Sequence, residues 1–292
     1  MRNFSAYSAR RKSWRKFVNI CMLTFSGIAT GIVVAPLLWI LGYVFSQGWP
    51  AINLQFFTEL PTPVGVPGGG IANALVGSLM TVGLGLLIAA PIGILAGLYA
   101  AAHPESILGL IVRFGTDVIS GVPSIVMGIF AYTIIVLPQK HFSAFSGGVV
   151  LAFIMLPIIV RTTEEMLKLV PATLREASVA LGAAEWKTAF SVILPTAFNG
   201  VLTGLMLAIA RAAGEAAPML FTAFGNPFMN MDFNQPAATL PHMIFVYAIS
   251  PYDDWHAKAW ATALVLIVLV LVLNILARLF TWWRARNLGN VS

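Results

Sequence analysis

Arg211 and Glu215 stand four residues apart inside an otherwise apolar stretch running from about Val192 to Phe224. On a helix, that spacing puts both side chains on one face. A charge within an apolar span costs at least about 2.5–3.5 kcal/mol, so it needs a compensating role. One role is structural: the two charges neutralise each other, or the guanidinium knits helices together by bonding carbonyls. The other role is passage of an anion. A guanidinium offsets the lost hydration of an oxyanion with bidentate hydrogen bonds. Glu215 then tempers that attraction, so that the ion is released. Arg161 supplies a second cation nearer a span end, with Thr162 and Thr163 beside it as hydroxyl donors that cannot trap by charge. The alternative for Arg161 is a snorkelling stem that reaches the headgroups. Gly68-Gly69-Gly70 reads either as a flexible turn or as a nest of N–H groups for an anion. Gly121-Val122-Pro123-Ser124 interrupts another apolar run and reads as a break or gating element on the same path.

Other chemistries lack their residues. The chain has no GxxxxGK[ST] phosphate loop, no GxGxxG after a strand and no HExxH. ATP hydrolysis and a cofactor of its own are therefore not expected of it. His103, His141, His242 and His256 are scattered without metal-ligand spacing and read as loop residues. Cys21 is the single cysteine, so no internal disulfide forms. The basic residues do not gather into a groove-facing patch, which argues against nucleic acid as a partner.

The elements that must position these residues are membrane helices. The chain has 292 residues, 59% hydrophobic and 10% charged, with a formal net charge of +6. A soluble domain carries about 25% charged residues, so a soluble globule could not cover this much apolar surface. Six apolar runs are long enough to cross a bilayer as helices. They are Phe17 to Phe45, about Ile71 to Ala102, about Val118 to Pro138, about Gly147 to Met166, about Val192 to Phe224, and Ala259 to Phe280. The first run has 29 residues, too long for a cleaved signal, so it reads as a spanning helix. Of the seventeen Lys and Arg residues, thirteen fall on one side of such an arrangement and two, Lys140 and Lys258, on the other. That asymmetry predicts an all-α membrane protein with both termini in the cytoplasm. The expected organisation is a basic tail at 1–16, a first span at 17–45, a periplasmic loop at 46–70, a core at 71–280 and a second tail at 281–292. Trp49, Phe56, Phe57, Trp255, Trp260, Trp282 and Trp283 flank spans as interfacial belts. Gly27-x-x-x-Gly31, Gly93-x-x-x-Gly97 and Gly200-x-x-x-Gly204 read as sites of close helix approach.

The connection 168–195 is longer than a turn requires. Thr173 and Glu176 have the spacing of a capping box. Leu174, Ala177 and Leu181 follow at helical spacing, and Gly182 ends or bends the helix before a second short one. Two such helices with an apolar stripe form either a plug for a partner's socket or a membrane-surface helix. Glu176-Ala177-Ser178, then Gly182, then Val192-Ile193-Leu194-Pro195 resembles the EAA signature of ABC importer permeases. Ser178 and Val192 depart from that signature while keeping its size and character. Gly68 to Leu75, Ile159 to Pro171 and Ala210 to Pro218 narrow the resemblance to the permease family of phosphate importers.

The resemblance implies the ABC type-1 permease fold in a bacterial inner membrane. It implies ATP-driven movement of phosphate from periplasm to cytoplasm by alternating access, with Arg211 and Glu215 on the path. It further implies that Arg175, Glu176, Ala177, Gly182 and Pro195 belong to a coupling loop docked on an ATPase. The implied partners are a second homologous permease (PstC-like), two ATP-binding subunits (PstB-like), a periplasmic phosphate-binding protein (PstS-like) and membrane lipid. Sulfate, molybdate or phosphonate as cargo, and an ATP-independent anion transporter, are the alternatives.

Overall fold

The computed structural model describes residues 2–66 and 68–289. The side chains of Arg2, Arg10, Arg11 and Arg284, counted in the charge balance above, lie outside the described residues. The long helix α1 (Arg2–Gly48) leads through a turn into the short α2 (Leu54–Thr58). There follow α3 (Ala72–Ala102), α4 (Ile107–Gly121), α5 (Ser124–Ala131) and α6 (Leu137–Gln139), the last two joined by a π-helical turn. The chain continues through α7 (Ala144–Lys168), α8 (Ala172–Ala180), α9 (Glu185–Thr188), a second π-helical turn and α10 (Leu194–Ala213). It closes with α11 (Ala217–Thr222), α12 (Leu240–Ala248) and α13 (Asp253–Gly289).

Among the described residues, five helices are long and apolar enough to cross a membrane, and six if the bent pair Ile107–Gly121 and Ser124–Gln139 is one span. The six expected runs thus each meet a helix, but the third differs from a simple rod. Its two halves meet at 103°. Pro123 is the cause: Val122 is extended at φ −78°, ψ 128°, as a residue before proline prefers. The fifth run is broken as well. Its helix α10 ends at Ala213, capped by Gly214, and the chain resumes as α11 at Ala217. The helix Leu240–Ala248 falls between the fifth and sixth apolar runs.

The centre of the bundle is the α3–α7 pair. Glycines on α3 remove the side chains that would hold the helices apart. A Cβ on Gly97 would stand 2.7 Å from the Val160 carbonyl, and one on Gly93 2.7 Å from Ile159. On the other flank of α7, Gly200 and Gly204 of α10 lie against Met166 and Thr162. Two of the three GxxxG pairs therefore bring helices together. Gly27 and Gly31 have nothing within 4 Å, because α1 stands apart from the bundle. That helix meets α13 near one end, where the Tyr43 ring packs edge-on to Trp260.

At the end of the bundle that carries α12, loop carbonyls cap α7. The Ala144 N–H donates to Gln235 at 2.8 Å and the Phe145 N–H to Phe233 at 2.8 Å. Here Gly68 and Gly69 sit at φ +87° and +81°, a region that favours glycine. They form a fixed turn. The Gly69 N–H donates to the Glu59 carboxylate at 3.2 Å, and Lys258 donates to the Gly68 carbonyl at 2.7 Å. The nest reading fails for an external anion, since the protein's own Glu59 occupies it.

Candidate functional site: an anion path and a coupling loop

The two helix breaks lie side by side. A cleft of about 30 Å³ is lined by Ile119, Ser120 and Val122 before the α4 break, Ser124 after it, and Arg211 of α10. The α7 residues Ile154, Pro157 and Ile158 close it. Pro157 lies near the middle of α7, so Arg211 sits mid-bundle although it falls in the last turn of its own helix. That last turn is a favourable place for a cation, at the negative end of the helix dipole. Broken backbone within a membrane is tolerated where it lines a cavity.

Arg211 Nε lies 4.0 Å from Glu215 Oε1. The pair forms, but not for the expected reason. Glu215 has left the helix, one residue past the Gly214 cap, so the contact owes nothing to a shared helical face. At 4.0 Å it is an ion pair without a hydrogen bond. The Arg211 side chain is 57% exposed and Glu215 17%, which leaves the guanidinium open to a visitor.

Arg161 lies one turn along α7 from Pro157 and Ile158, on the same face by the i, i+3, i+4 rule. It pairs with Asp117 of α4, an acid that the sequence reading did not single out. Thr162 and Thr163 point elsewhere. Thr162 donates to the Ile158 carbonyl at 2.7 Å and packs on Gly204. Thr163 is fully buried against Gly97 of α3. Successive helical residues turn by about 100°, so neither hydroxyl shares the Arg161 face.

One turn farther on, Glu164 Oε1 accepts from Arg113 Nε at 2.7 Å and from Lys168 Nζ at 2.6 Å. Its side chain is 2% exposed. Arg113 also donates to the Ala100 and Pro104 carbonyls at 2.7 and 2.8 Å, tying the end of α3 to α4 and α7. Arg113, Asp117 and Ser120 recur along α4, and Arg161, Glu164 and Lys168 along α7. The seam between the two helices is therefore a column of charges leading from Lys168 to the Arg211 cleft.

The loop beyond Lys168 folds as two short helices, as expected. Its start is different: α8 begins after Pro171, with no side-chain cap, which places Thr173 inside the helix and removes the capping box. Pro171 fixes the φ that an entering helix needs. Gly182 follows α8 at φ +82°, the left-handed position that ends many helices. Ser178 and Thr188 hydroxyls bond at 2.8 Å and hold α8 against α9. Arg175 lines a cavity of about 630 Å³ between the loop and the ends of α3 and α7. Glu176 and Ala177 lie exposed on α8, and Pro195 opens α10. Leu181 is 89% exposed, with Leu169 and Trp186 also outward. This apolar projection has no partner within the described residues. Among those residues, no three His, Cys, Asp or Glu side chains group to hold a metal.

Comparisons with known proteins give the family. Residues 93–283 match the family described as "Binding-protein-dependent transport system inner membrane component". The phosphate transport system permease protein PstA of Haemophilus influenzae is 45% identical over 268 residues, 91% of this chain and 95% of that one. Its counterpart in Yersinia pestis is 43% identical over 270 residues, 92% of each chain. The fold is similar to that of the inward-facing MetNI methionine ABC transporter, with a TM-score of 0.55 and 21% identity over 72% of this chain and 92% of that one. The chain belongs to the binding-protein-dependent transport system inner membrane components, and within them to the PstA family of ABC importer permeases.

Proposed function

We propose that this chain is the permease subunit that carries inorganic phosphate from periplasm to cytoplasm in an ATP-driven importer. Two PstB-like subunits bind and hydrolyse ATP, and this chain holds no cofactor of its own. A PstC-like permease completes the path, and a PstS-like periplasmic protein delivers the ion. The basic side, with both termini, faces the cytoplasm, and lipid surrounds the apolar helices.

The observation that carries the reading is Arg211. It is a half-exposed cation at mid-bundle, where two helices break, in a chain whose relatives are named phosphate transport permeases. A phosphate entering the cleft takes the hydrogen bonds that Arg211 does not give to Glu215. Glu215 recaptures the cation as the ion leaves. Arg161 continues the path toward the cytoplasm. On the ATPase side, Arg175, Glu176 and Ala177 make the contact, Gly182 the turn, and Pro195 the start of the helix that answers it. The exposed apolar projection around Leu181 supports that docking.

The test is ATP-dependent uptake of labelled phosphate by the complete complex in vesicles, with excess unlabelled sulfate. Uptake that requires ATP, resists sulfate and collapses in Arg211→Gln is the expected result. Competition by sulfate would remove phosphate as the cargo. Flux without ATP or ATPase would remove the importer mechanism.

A further inference from the structure

Asp117 of α4 pairs with Arg161 of α7 on the seam that leads to the Arg211 cleft. Its side chain is 57% exposed and that of its partner Arg161 is 43% exposed, so the pair stands open at the surface of the charge column. Charges left open within a membrane-spanning bundle are costly against lipid, so they face a water-filled cavity or a partner. Holding α4 to α7 is already the work of buried Glu164, with Arg113 and Lys168 one turn away. A structural role therefore accounts poorly for a second, open pair on the same seam. Its position is more informative: Ile154, Pro157, Ile158 and Arg161 fall at helical spacing on one face of α7, and the first three line the Arg211 cleft. Ser120, three residues after Asp117 on α4, lines it too.

We infer that Asp117 is a selectivity and release residue of the anion path, acting on the ion directly beside Arg161. The inference rests on the anion-path reading above. Two properties of a carboxylate carry it. First, Asp117 neutralises Arg161 when the path is empty, so the arginine does not become a trap. Second, an ionised carboxylate accepts hydrogen bonds and donates none. Inorganic phosphate keeps a P–OH at neutral pH and donates it to Asp117 while Arg161 binds its other oxygens. Sulfate has no proton to give and meets the carboxylate as a like charge at close range. The same pair thus passes a protonated oxyanion and rejects an aprotic one.

The periplasmic binding protein selects the cargo upstream, so the test must approach from the other side. The complete complex is reconstituted with its ATPases facing the vesicle lumen, and sulfate is loaded in the lumen during phosphate uptake. Wild-type turnover should resist lumenal sulfate. In Asp117→Asn the inhibitory sulfate concentration should fall roughly tenfold, the low end for loss of a charge-assisted discrimination. Asp117→Glu should stay resistant, and Asp117→Asn with Arg161→Gln should regain resistance, since the uncompensated cation is gone. Asp117→Ser reads the same quantity if the amide variant does not assemble. Equal sulfate sensitivity in wild type and Asp117→Asn overturns the inference, as does a double variant as sensitive as the single one. A wild-type complex that moves no phosphate sinks the cargo assignment instead, which is a separate outcome read before any variant.

Discussion

Replacing Glu164 by glutamine should be the most destabilising single-atom change in the α4–α7 seam. The wild-type carboxylate is 2% exposed, and one of its oxygens receives both Arg113 and Lys168. Removing one partner of a buried ion pair costs about 3–5 kcal/mol, because the other charge is left uncompensated. Two features lower that figure here. Arg113 is 20% exposed and keeps its bonds to the Ala100 and Pro104 carbonyls. The glutamine also retains one acceptor oxygen. The expected loss is therefore about 2–3 kcal/mol. Lys168→Met supplies the internal contrast. Lys168 is 51% exposed and pairs at i, i+4, a geometry worth only about 0.3–0.5 kcal/mol. Both variants are compared by SDS-driven unfolding in mixed micelles, followed by circular dichroism. A Glu164→Gln loss below about 0.5 kcal/mol, or a Lys168→Met loss as large as that of Glu164→Gln, would refute the claim that burial of this carboxylate sets the strength of the seam.

Gly97→Val should destabilise the bundle by about 1–3 kcal/mol or more through overpacking, since its Cβ would meet the Val160 carbonyl; Gly27→Val, with nothing within 4 Å, should be neutral by the same unfolding assay. Gly182→Ala places a Cβ at φ +82°, a strain of about 1–2 kcal/mol; it should lower phosphate uptake per ATP hydrolysed while helix content stays unchanged. Burial holds the His242 imidazole below its ordinary pKa of 6.5, so the unfolded chain binds the proton more readily. Its contribution to stability should be full above pH 6.5 and fall as the pH drops through the lowered folded value. His242→Asn should flatten the unfolding free energy between pH 7.5 and about 5 relative to the wild type.

Local signals in the sequence carried further than pairings did. The long apolar runs, the Pro123 break and the Gly182 turn depend on a residue and its immediate neighbours, and each appears where the sequence puts it. Thr173 shows the limit even of a local rule: a capping box needs the chain to enter the helix at that threonine, and Pro171 starts the helix two residues earlier. The partnerships of Asp117 with Arg161 and of Arg113 with Glu164 join residues 44 and 51 positions apart. No periodicity reports a contact between two helices, so neither partnership is legible from spacing. Glu215 is the reverse case. Its spacing from Arg211 predicted the pair through a helical face that does not exist, and the break at Gly214 brings the two together by another route.

That difference between rigid and broken elements bears on how a motion would travel through the chain. The α7 helix ends at Lys168, beside the loop, and reaches the Arg211 cleft at Pro157, eleven residues or roughly 17 Å away. Along that length, glycine-mediated contacts with α3 bring the helix backbones too close for independent sliding. Gly200 and Gly204 hold α10 to the same helix, so a push on α8 moves α3, α7 and α10 as one body. The short helices α5 and α11 are joined to the elements before them through breaks at Gly121–Ser124 and at Gly214–Ala216. Relative displacement has to be absorbed at those two points, where the backbone lacks continuous helical bonding; Arg211 lies just before one of them and Glu215 within it. A small change there alters the 4.0 Å separation of the pair and with it the charge presented to an ion. A cross-link fixing α10 to α11 across Gly214 should accordingly stop uptake while leaving ATP hydrolysis running. Uptake that survives the cross-link would place the moving joint elsewhere.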